Sequence, residues 1–162
     1  MFEPIGIRDA PINKTLEPAG REGQPLMAFG YYPTIGDIVR IARLYQNLGA
    51  HQGQQLLYAP KIGEIFARTP TPGLPTGEVN PYGEVFYFNT FWKAPYSTPQ
   101  GCKLYYPQME GWGGTVVALF PGKLTGIRIA KIWEDDTHTA SATSGMAAAA
   151  DQLNTFASEG GC

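Results

Sequence analysis

The stretch from Met109 to Gly122 has the clearest capacity for chemistry in the chain. A glycine-rich turn, Gly111-Trp112-Gly113-Gly114, leads into an apolar strand that closes in a Pro-Gly turn. Glycines at the end of a strand let another backbone or a ligand approach closely. We therefore expect the turn to form the rim of a site on a sheet edge, with a tight connection that binds nothing as the alternative. Such a rim supplies no nucleophile of its own.

The histidines offer a second chemical possibility. His51 and His138 are far apart in the sequence, and Asp135 and Asp136 shortly precede the second one. Histidine and carboxylate side chains bind metals, but the usual spacings of metal-binding motifs are missing. A solvated loop around His138 is therefore the favoured interpretation. No metal and no other cofactor is predicted.

The composition is that of a globular chain of one domain. Of its 162 residues, 43% are apolar and 16% are charged, which excludes a disordered polymer. The net charge of −2, without a basic run, argues against nucleic acid as a partner. No apolar segment approaches the roughly 20 residues that span a bilayer, and residues 1–6 lack the features of a secretory signal. Cys102 and Cys162 allow either a disulfide or two free thiols.

Two helices are predicted in residues 34–67, after an irregular segment at 1–33. The first helix, at about 34–48, has Thr34 as its N-cap and Asp37 at the capping-box position, and Gly49 follows its end. The second helix begins near Pro60. Its buried face holds three residues: Ile62, Ile65 and Phe66.

The second half of the chain is predicted to form a sheet. Residues from Thr69 to Pro81 are rich in proline and glycine and are expected to form a long loop, a candidate lid. The segment 82–96 carries large rings on both faces, so we expect one strand covered on both sides. Core packing is favoured for these rings, with stacking on a sugar or an aromatic substrate as the alternative. Three further strands are predicted at 102–106, 115–120 and 126–133.

A terminal helix is predicted at 139–157, with an apolar stripe that we interpret as core packing. The elements together predict the α+β class, an antiparallel sheet meander with flanking helices and a C-terminal helix.

Several segments, in the same order, resemble the C-terminal half of serine hydrolases of the beta-lactamase and penicillin-binding type. Residues 2–10 (Phe-Glu-Pro-Ile-Gly-Ile-Arg-Asp-Ala) are similar to the family segment F-x-P-L-G-M-x-D-T. Residues 33–49 resemble the helix that follows it, and residues 54–57 (Gln-Gln-Leu-Leu) resemble the next segment, G-x-x-L-L. The glycine-rich stretch and residues 125–130 resemble the last strand pair. The resemblance covers nearly the whole chain, as a single partial domain over residues 1–162.

The resemblance implies acyl transfer. In this family the serine of a Ser-x-x-Lys motif attacks a carbonyl, a lysine and a tyrosine move protons, and a backbone N–H completes an oxyanion hole. No serine of this chain has a lysine three positions later; the serines are Ser97, Ser141, Ser144 and Ser158. Two Tyr-x-Asn matches, at Tyr45 and Tyr87, lie in the wrong place relative to the resemblance. We interpret both tyrosines as core or turn residues.

The third family motif, Lys-Thr-Gly or a His-x-Gly variant, lies on the edge strand before the glycine-rich turn. This chain has Tyr-Pro-Gln-Met-Glu-Gly there, at residues 106–111, which favours an esterase-like or divergent member over a true beta-lactamase. The resemblance implies that side chains of this strand and turn line a substrate cleft, and that backbone N–H groups of the turn approach an oxyanion. The residues of this candidate substrate-facing edge are Tyr106, Gln108, Gly111, Trp112, Gly113 and Gly114.

The sequence thus favours the C-terminal portion of a serine hydrolase that is inactive alone, because the nucleophile motif is absent. The complete enzyme would act on a small-molecule ester or amide, or on a peptide-like substrate, and would include a missing N-terminal half. One alternative is a non-catalytic binding or interaction domain that reuses this scaffold, and another is a truncated reading frame. The family is often periplasmic or secreted, but the compartment of this chain stays open.

Overall fold

The computed structural model describes residues 2–8, 11–18, 21, 23–25, 31–97, 101, 103–111 and 115–129. The predicted terminal helix at 139–157 lies outside these residues. So do Cys102 and Cys162, and the group around His138.

Helix α1, Ile35–Gln46, confirms the first predicted helix. The side chain of Thr34 accepts a hydrogen bond from the Asp37 N–H at 3.1 Å, and Asp37 in turn accepts one from the Thr34 N–H at 3.0 Å. This reciprocal capping box satisfies donors that would otherwise lack partners in the first turn. Leu44 packs against Ile5 and Ile7 of the N-terminal segment, while Ala42 packs toward the sheet. The helix is therefore enclosed between the N-terminal segment and the sheet.

A small hairpin and a second helix follow. Strands β1 (Ala50–His51) and β2 (Gln54–Gln55) pair antiparallel. Helix α2, Ala59–Ile65, has Pro60 in its first turn, as predicted, and buries Ile62 and Ile65.

The main sheet is an antiparallel meander of six strands in sequence order. They are β3 (Leu74–Asn80), β4 (Gly83–Phe88), β5 (Phe91–Ser97), β6 (Lys103–Gly111), β7 (Thr115–Phe120) and β8 (Leu124–Arg128). The prediction of an α+β fold with an antiparallel meander is confirmed at this level. The described sheet has two strands more than the four predicted.

Strand β3 corrects the predicted loop at Thr69–Pro81. It pairs with β4 from Leu74↔Tyr87 to Asn80↔Gly83, with an irregular register between Pro75 and Val79. In the described sheet β3 is an outer strand, and an outer strand tolerates a proline and a bulge because it needs ladder partners on one side only. The proline and glycine content was therefore a poor guide to structure in this segment.

The predicted single strand at 82–96 is also wrong. The chain reverses at Asn89 and Thr90, whose φ angles are 53° and 68°, and Phe88 pairs with Phe91 across the turn. Two successive positive φ values are the mark of a type I′ hairpin. The usual Asn-Gly pair is replaced here by Asn-Thr, so the sequence does not predict the chain reversal.

The central strands carry buried residues on both faces of the sheet. The helix face carries Phe91, Val117 and Leu119 and packs against α1 and α2. The far face is the opposite one, and its buried apolar residues are Ala94, Tyr96, Leu104, Tyr106, Val116, Ala118 and Phe120. Core packing of the aromatic segment is therefore confirmed for Phe91 and Tyr96.

Candidate functional site

Strand β6 changes its partner halfway along its length. Its pairing with β5 runs from Ser97↔Lys103 to Trp92↔Gln108, and its pairing with β7 runs from Gln108↔Ala118 to Gly111↔Thr115. Pro107 has no N–H to donate, and the ladder with β7 begins just beyond it. The strand before the glycine-rich turn is thus an inner strand, not the edge strand that the resemblance implies. The outer strands of the described sheet are β3 and β8.

Gly111 ends β6 at the surface of the protein, where it pairs with Thr115. A Cβ atom added at Gly111 would lie 3.7 Å from the Thr115 carbonyl oxygen and 3.9 Å from the Thr115 Cβ, which are ordinary contacts. Local packing therefore does not require glycine at this position. The other predicted residues of the turn, Trp112, Gly113 and Gly114, lie outside the described residues.

Tyr106, Gln108 and Glu110 alternate along β6 and share the far face. Tyr106 is 1% exposed and Gln108 is 0% exposed, and the Gln108 amide donates a hydrogen bond to the Glu110 carboxylate. The structure thus brings the two predicted cleft residues into the core, with the half-buried Glu110 beside them. Glu110 was not predicted as a site residue. The alternation of Tyr106, Gln108 and Glu110 in the sequence does indicate that the three share one face of a strand.

The environment of Tyr106 suits a neutral hydroxyl. Burial, and then the negative charge of Glu110, raise the pKa of Tyr106 well above its ordinary value. Its ring packs against Phe120 with ring centroids 5.0 Å apart. Tyr106 therefore stays protonated at neutral pH and does not act as a general base.

Of the two Tyr-x-Asn tyrosines, Tyr45 packs against the core, as predicted, whereas Tyr87 is an exposed strand residue and neither a core nor a turn residue. Tyr45 lies on the side of α1 that faces the sheet and makes an edge contact with Phe91, with ring centroids 5.0 Å apart. Burial raises its pKa. Tyr87 is partly exposed on β4, and Asn89 lies in the hairpin turn.

Lys93 is the most unusual polar residue on the helix face. It is 0% exposed on β5, and its ammonium has no hydrogen-bond partner among the described residues. Its Nζ lies 6.0 Å from the centroid of the Phe88 ring, and the Nζ of Lys61 lies 5.9 Å from the same centroid. Burial lowers the pKa of Lys93. Lys93 belongs to no recognised sequence motif. It lies in a segment of aromatic residues, which the sequence indicates only as core packing.

A cavity of about 170 Å³ lies between the end of α2 and β6. We call it the corner cavity, and its lining residues are Phe66, Arg68, Leu104, Tyr105, Tyr106, Pro107 and Leu119. The Tyr105 N–H donates to the Arg68 carbonyl at 3.2 Å, which ties the chain after α2 to the strand. This hydrogen bond fixes the chain after α2 against β6, and the cavity lies between the two.

A larger, open groove of about 520 Å³ lies at the end of α1, beside the β1–β2 hairpin. Polar side chains that line the groove form hydrogen bonds within the protein. The Lys123 ammonium donates to the Asn47 side-chain oxygen at 2.8 Å, and the Gln46 amide donates to the Leu124 carbonyl at 2.7 Å. These contacts join α1 to the turn between β7 and β8.

Metal binding and membrane spanning find no support in the part of the chain that the structure describes. There, no three His, Cys, Asp or Glu side chains are grouped so that they could hold a metal ion. Neither α1 nor α2 has the length and apolarity needed to span a bilayer. No protein-family model, curated protein or solved structure matches this chain.

Proposed function

We propose that this chain is the C-terminal part of a beta-lactamase-like serine hydrolase. In the complete protein an ester, an amide or a peptide-like substrate would be cleaved through an acyl-enzyme. The observation that carries the proposal is the order of the elements. The segments that resemble the family fall, in sequence order, on α1, on the β1–β2 hairpin and on the run β6–β7–β8.

The end of the β6–β7 pair supports a role as a substrate-facing wall. Gly111 pairs with Thr115, so the glycine-rich turn connects two strands at one end of the sheet. Backbone N–H groups in a glycine-rich turn can stabilise a developing oxyanion. Gly111 has room for a side chain, so local packing does not explain the glycine. This favours a functional explanation, such as the close approach of a substrate.

The chain alone lacks the groups that would begin the reaction. None of its serines belongs to a Ser-x-x-Lys motif. Tyr106 is held protonated by burial and by Glu110, so it is no substitute for the proton-transferring tyrosine of the family. Without a nucleophile, only the modest acceleration from binding and oxyanion donors remains.

The first experiment measures turnover of a p-nitrophenyl ester and a chromogenic cephalosporin by the purified chain, together with labelling by a fluorophosphonate. We expect no turnover above buffer and no covalent label. Robust turnover that the fluorophosphonate abolishes would show that the nucleophile lies within these residues and would overturn the proposal.

A second experiment tests the family. The DNA upstream should encode, in frame, a Ser-x-x-Lys motif followed by Tyr-x-Asn, and the joined polypeptide should hydrolyse the ester. Its Ser-to-Ala variant at the new motif is the control and should be inactive. An upstream sequence without these motifs, or a joined polypeptide without activity, would contradict membership of the family.

A non-catalytic binding domain is the second candidate function. The corner cavity favours it, because an apolar space with Arg68 at its rim lies within the described part of the chain. Independent, cooperative folding of the 162 residues with a ligand bound would support this alternative. Failure of the chain to fold without an upstream segment would favour the hydrolase fragment.

A further inference from the structure

Three residues that line the open groove at the end of α1 have a backbone conformation that glycine adopts more readily. The φ angle is 52° at Leu48, 49° at Gln52 and 61° at Lys123, all in the left-handed region. Among the described residues, only two other non-glycine residues have a positive φ, Asn89 and Thr90. The left-handed conformation is strained for most side chains, and such strain persists where the surrounding structure or a function requires it. The open groove therefore concentrates the backbone strain of the described chain.

Core packing does not explain these three side chains. Leu48 is 45% exposed, and Gln52 and Lys123 are exposed as well. None of the three belongs to a buried apolar cluster, so glycine at each position would relieve the strain without uncovering the core. A side chain that costs stability and is not needed for packing indicates a functional site.

The groove presents hydrogen-bonding groups that remain available to a ligand. Lys123 donates to Asn47 Oδ1 at 2.8 Å, which uses one of its three ammonium hydrogens and leaves the Asn47 amide N–H groups without a partner among the described residues. The Gln52 side chain makes no hydrogen bond to a described residue. A side-chain amide both donates and accepts, and a hydroxyl group does the same. The available groups therefore match a ligand that carries several hydroxyls.

The open groove carries little net charge. Among the described residues that line it, Lys123 alone has a formal charge. Its bond to Asn47, the C-cap of α1, places this ammonium at the end of the helix where the dipole supplies a partial negative charge. The two charges offset each other, so neither an anion nor a cation is strongly favoured. A neutral ligand fits this balance.

The size and the walls of the groove also suit a polyhydroxyl ligand. Its volume of about 520 Å³ is within the range of small-molecule sites. Leu48 and Ala50 add apolar surface between the polar groups. A sugar ring has an apolar face of C–H groups and a rim of hydroxyls, so it answers both features.

We propose that the open groove binds a short neutral saccharide, whose hydroxyl groups bond to Asn47, Gln52 and Lys123. The apolar face of one sugar ring packs against Leu48. This site goes beyond the proposed hydrolase function, because the β7–β8 turn beside it lies at the opposite end of β7 from the glycine-rich turn. A Kd on the order of millimolar is expected for an open, polar groove.

The test is a titration of the full chain with three neutral trisaccharides: maltotriose, cellotriose and tri-N-acetylchitotriose. The side-chain amide signals of Asn47 and Gln52 in NMR spectra report binding. We expect saturable shifts of both signals with at least one trisaccharide, and none with the dianion glutarate at the same concentration.

A variant separates binding from folding. Gln52→Gly relieves a left-handed residue, so its stability to urea should not fall, while the lost hydrogen bonds should weaken saccharide binding by about 3-fold or more. Thr90→Gly is the matched control. It relieves the same kind of strain in the β4–β5 turn, at the end of the sheet where Gly111 lies, and should bind the saccharide as the parent chain does.

Three outcomes would overturn the proposal. One is the absence of saturable shifts with all three trisaccharides, and another is equal binding of glutarate. The third is an equal effect of the Gln52 and Thr90 variants on binding. The first two outcomes are measured on the parent chain, and none depends on ester turnover, so the hydrolase proposal is tested separately.

Discussion

Lys93→Met should stabilise the protein at neutral pH. The Lys93 ammonium is enclosed on the helix face without a hydrogen-bond partner among the described residues. A buried polar group without a partner costs about 1–3 kcal/mol of stability. Its contact with the Phe88 ring offsets about 0.5–1 kcal/mol of that cost. Methionine keeps an unbranched shape without the amine, so we expect the free energy of unfolding to rise by about 1–2 kcal/mol.

The gain should depend on pH in a defined direction. Unfolded lysine has a pKa of about 10.4, and burial lowers the pKa of Lys93 in the folded state. Between the lowered pKa and about 10.4, the unfolded chain binds more protons than the folded chain, so the parent protein gains stability as the pH rises. The variant lacks this contribution. Its advantage is therefore largest below the lowered pKa and shrinks as the pH approaches about 10.4.

Urea denaturation at pH 7 and at pH 10 measures both effects. Lys61→Met is the matched control, because Lys61 also lies near the Phe88 ring but is exposed and paired with Glu64 at 2.7 Å. We expect the control to change stability by no more than about 0.5 kcal/mol at either pH, as is usual for an exposed pair. A loss of stability in Lys93→Met would refute the reasoning. So would a gain that is equal at the two pH values.

Three backbone predictions follow from the glycines and the hairpin, each measured by urea denaturation. Gly111→Ala should change stability by no more than about 0.5 kcal/mol, because the added Cβ makes only ordinary contacts; a loss above about 1 kcal/mol would contradict this. Gly49→Ala should cost at least about 2 kcal/mol, since φ is 83° and the Cβ would lie 2.6 Å from that of Leu57; a neutral result would refute the packing. Thr90→Gly should add about 1 kcal/mol by relieving a left-handed β-branched residue, and a loss would argue against the type I′ turn.

The helices were predictable because their signals are local. Thr34 and Asp37 form the capping box that the sequence indicates, and Pro60 lies in the first turn of α2. Capping and apolar periodicity depend on residues within one or two helical turns, so a short stretch of sequence is enough to recognise them. The meander of β6, β7 and β8 was likewise signalled by short apolar runs between turns.

The sheet resisted prediction where pairing with a distant residue decides the outcome. Strand β3 exists because Leu74 and Pro75 find partners on β4, and an outer position makes its proline harmless. The reversal at Asn89 needs two successive positive φ angles, which Asn favours but the β-branched Thr90 does not, so only half of the usual signal is present. In both places, pairing with a partner strand outweighs a weak local preference.

The candidate site divides in the same way. From the sequence alone came the absence of Ser-x-x-Lys, the position of the glycine-rich turn and the resemblance that joins them, because all three depend on residue identity and order. Only the tertiary structure enclosed Lys93, turned Tyr106 and Gln108 into the core, and left a cavity beside Arg68 where β6 outruns β7. Burial and cavity shape are sums over contacts between residues that are distant in the chain, so they exist only once the strands have paired and the helices have packed on them.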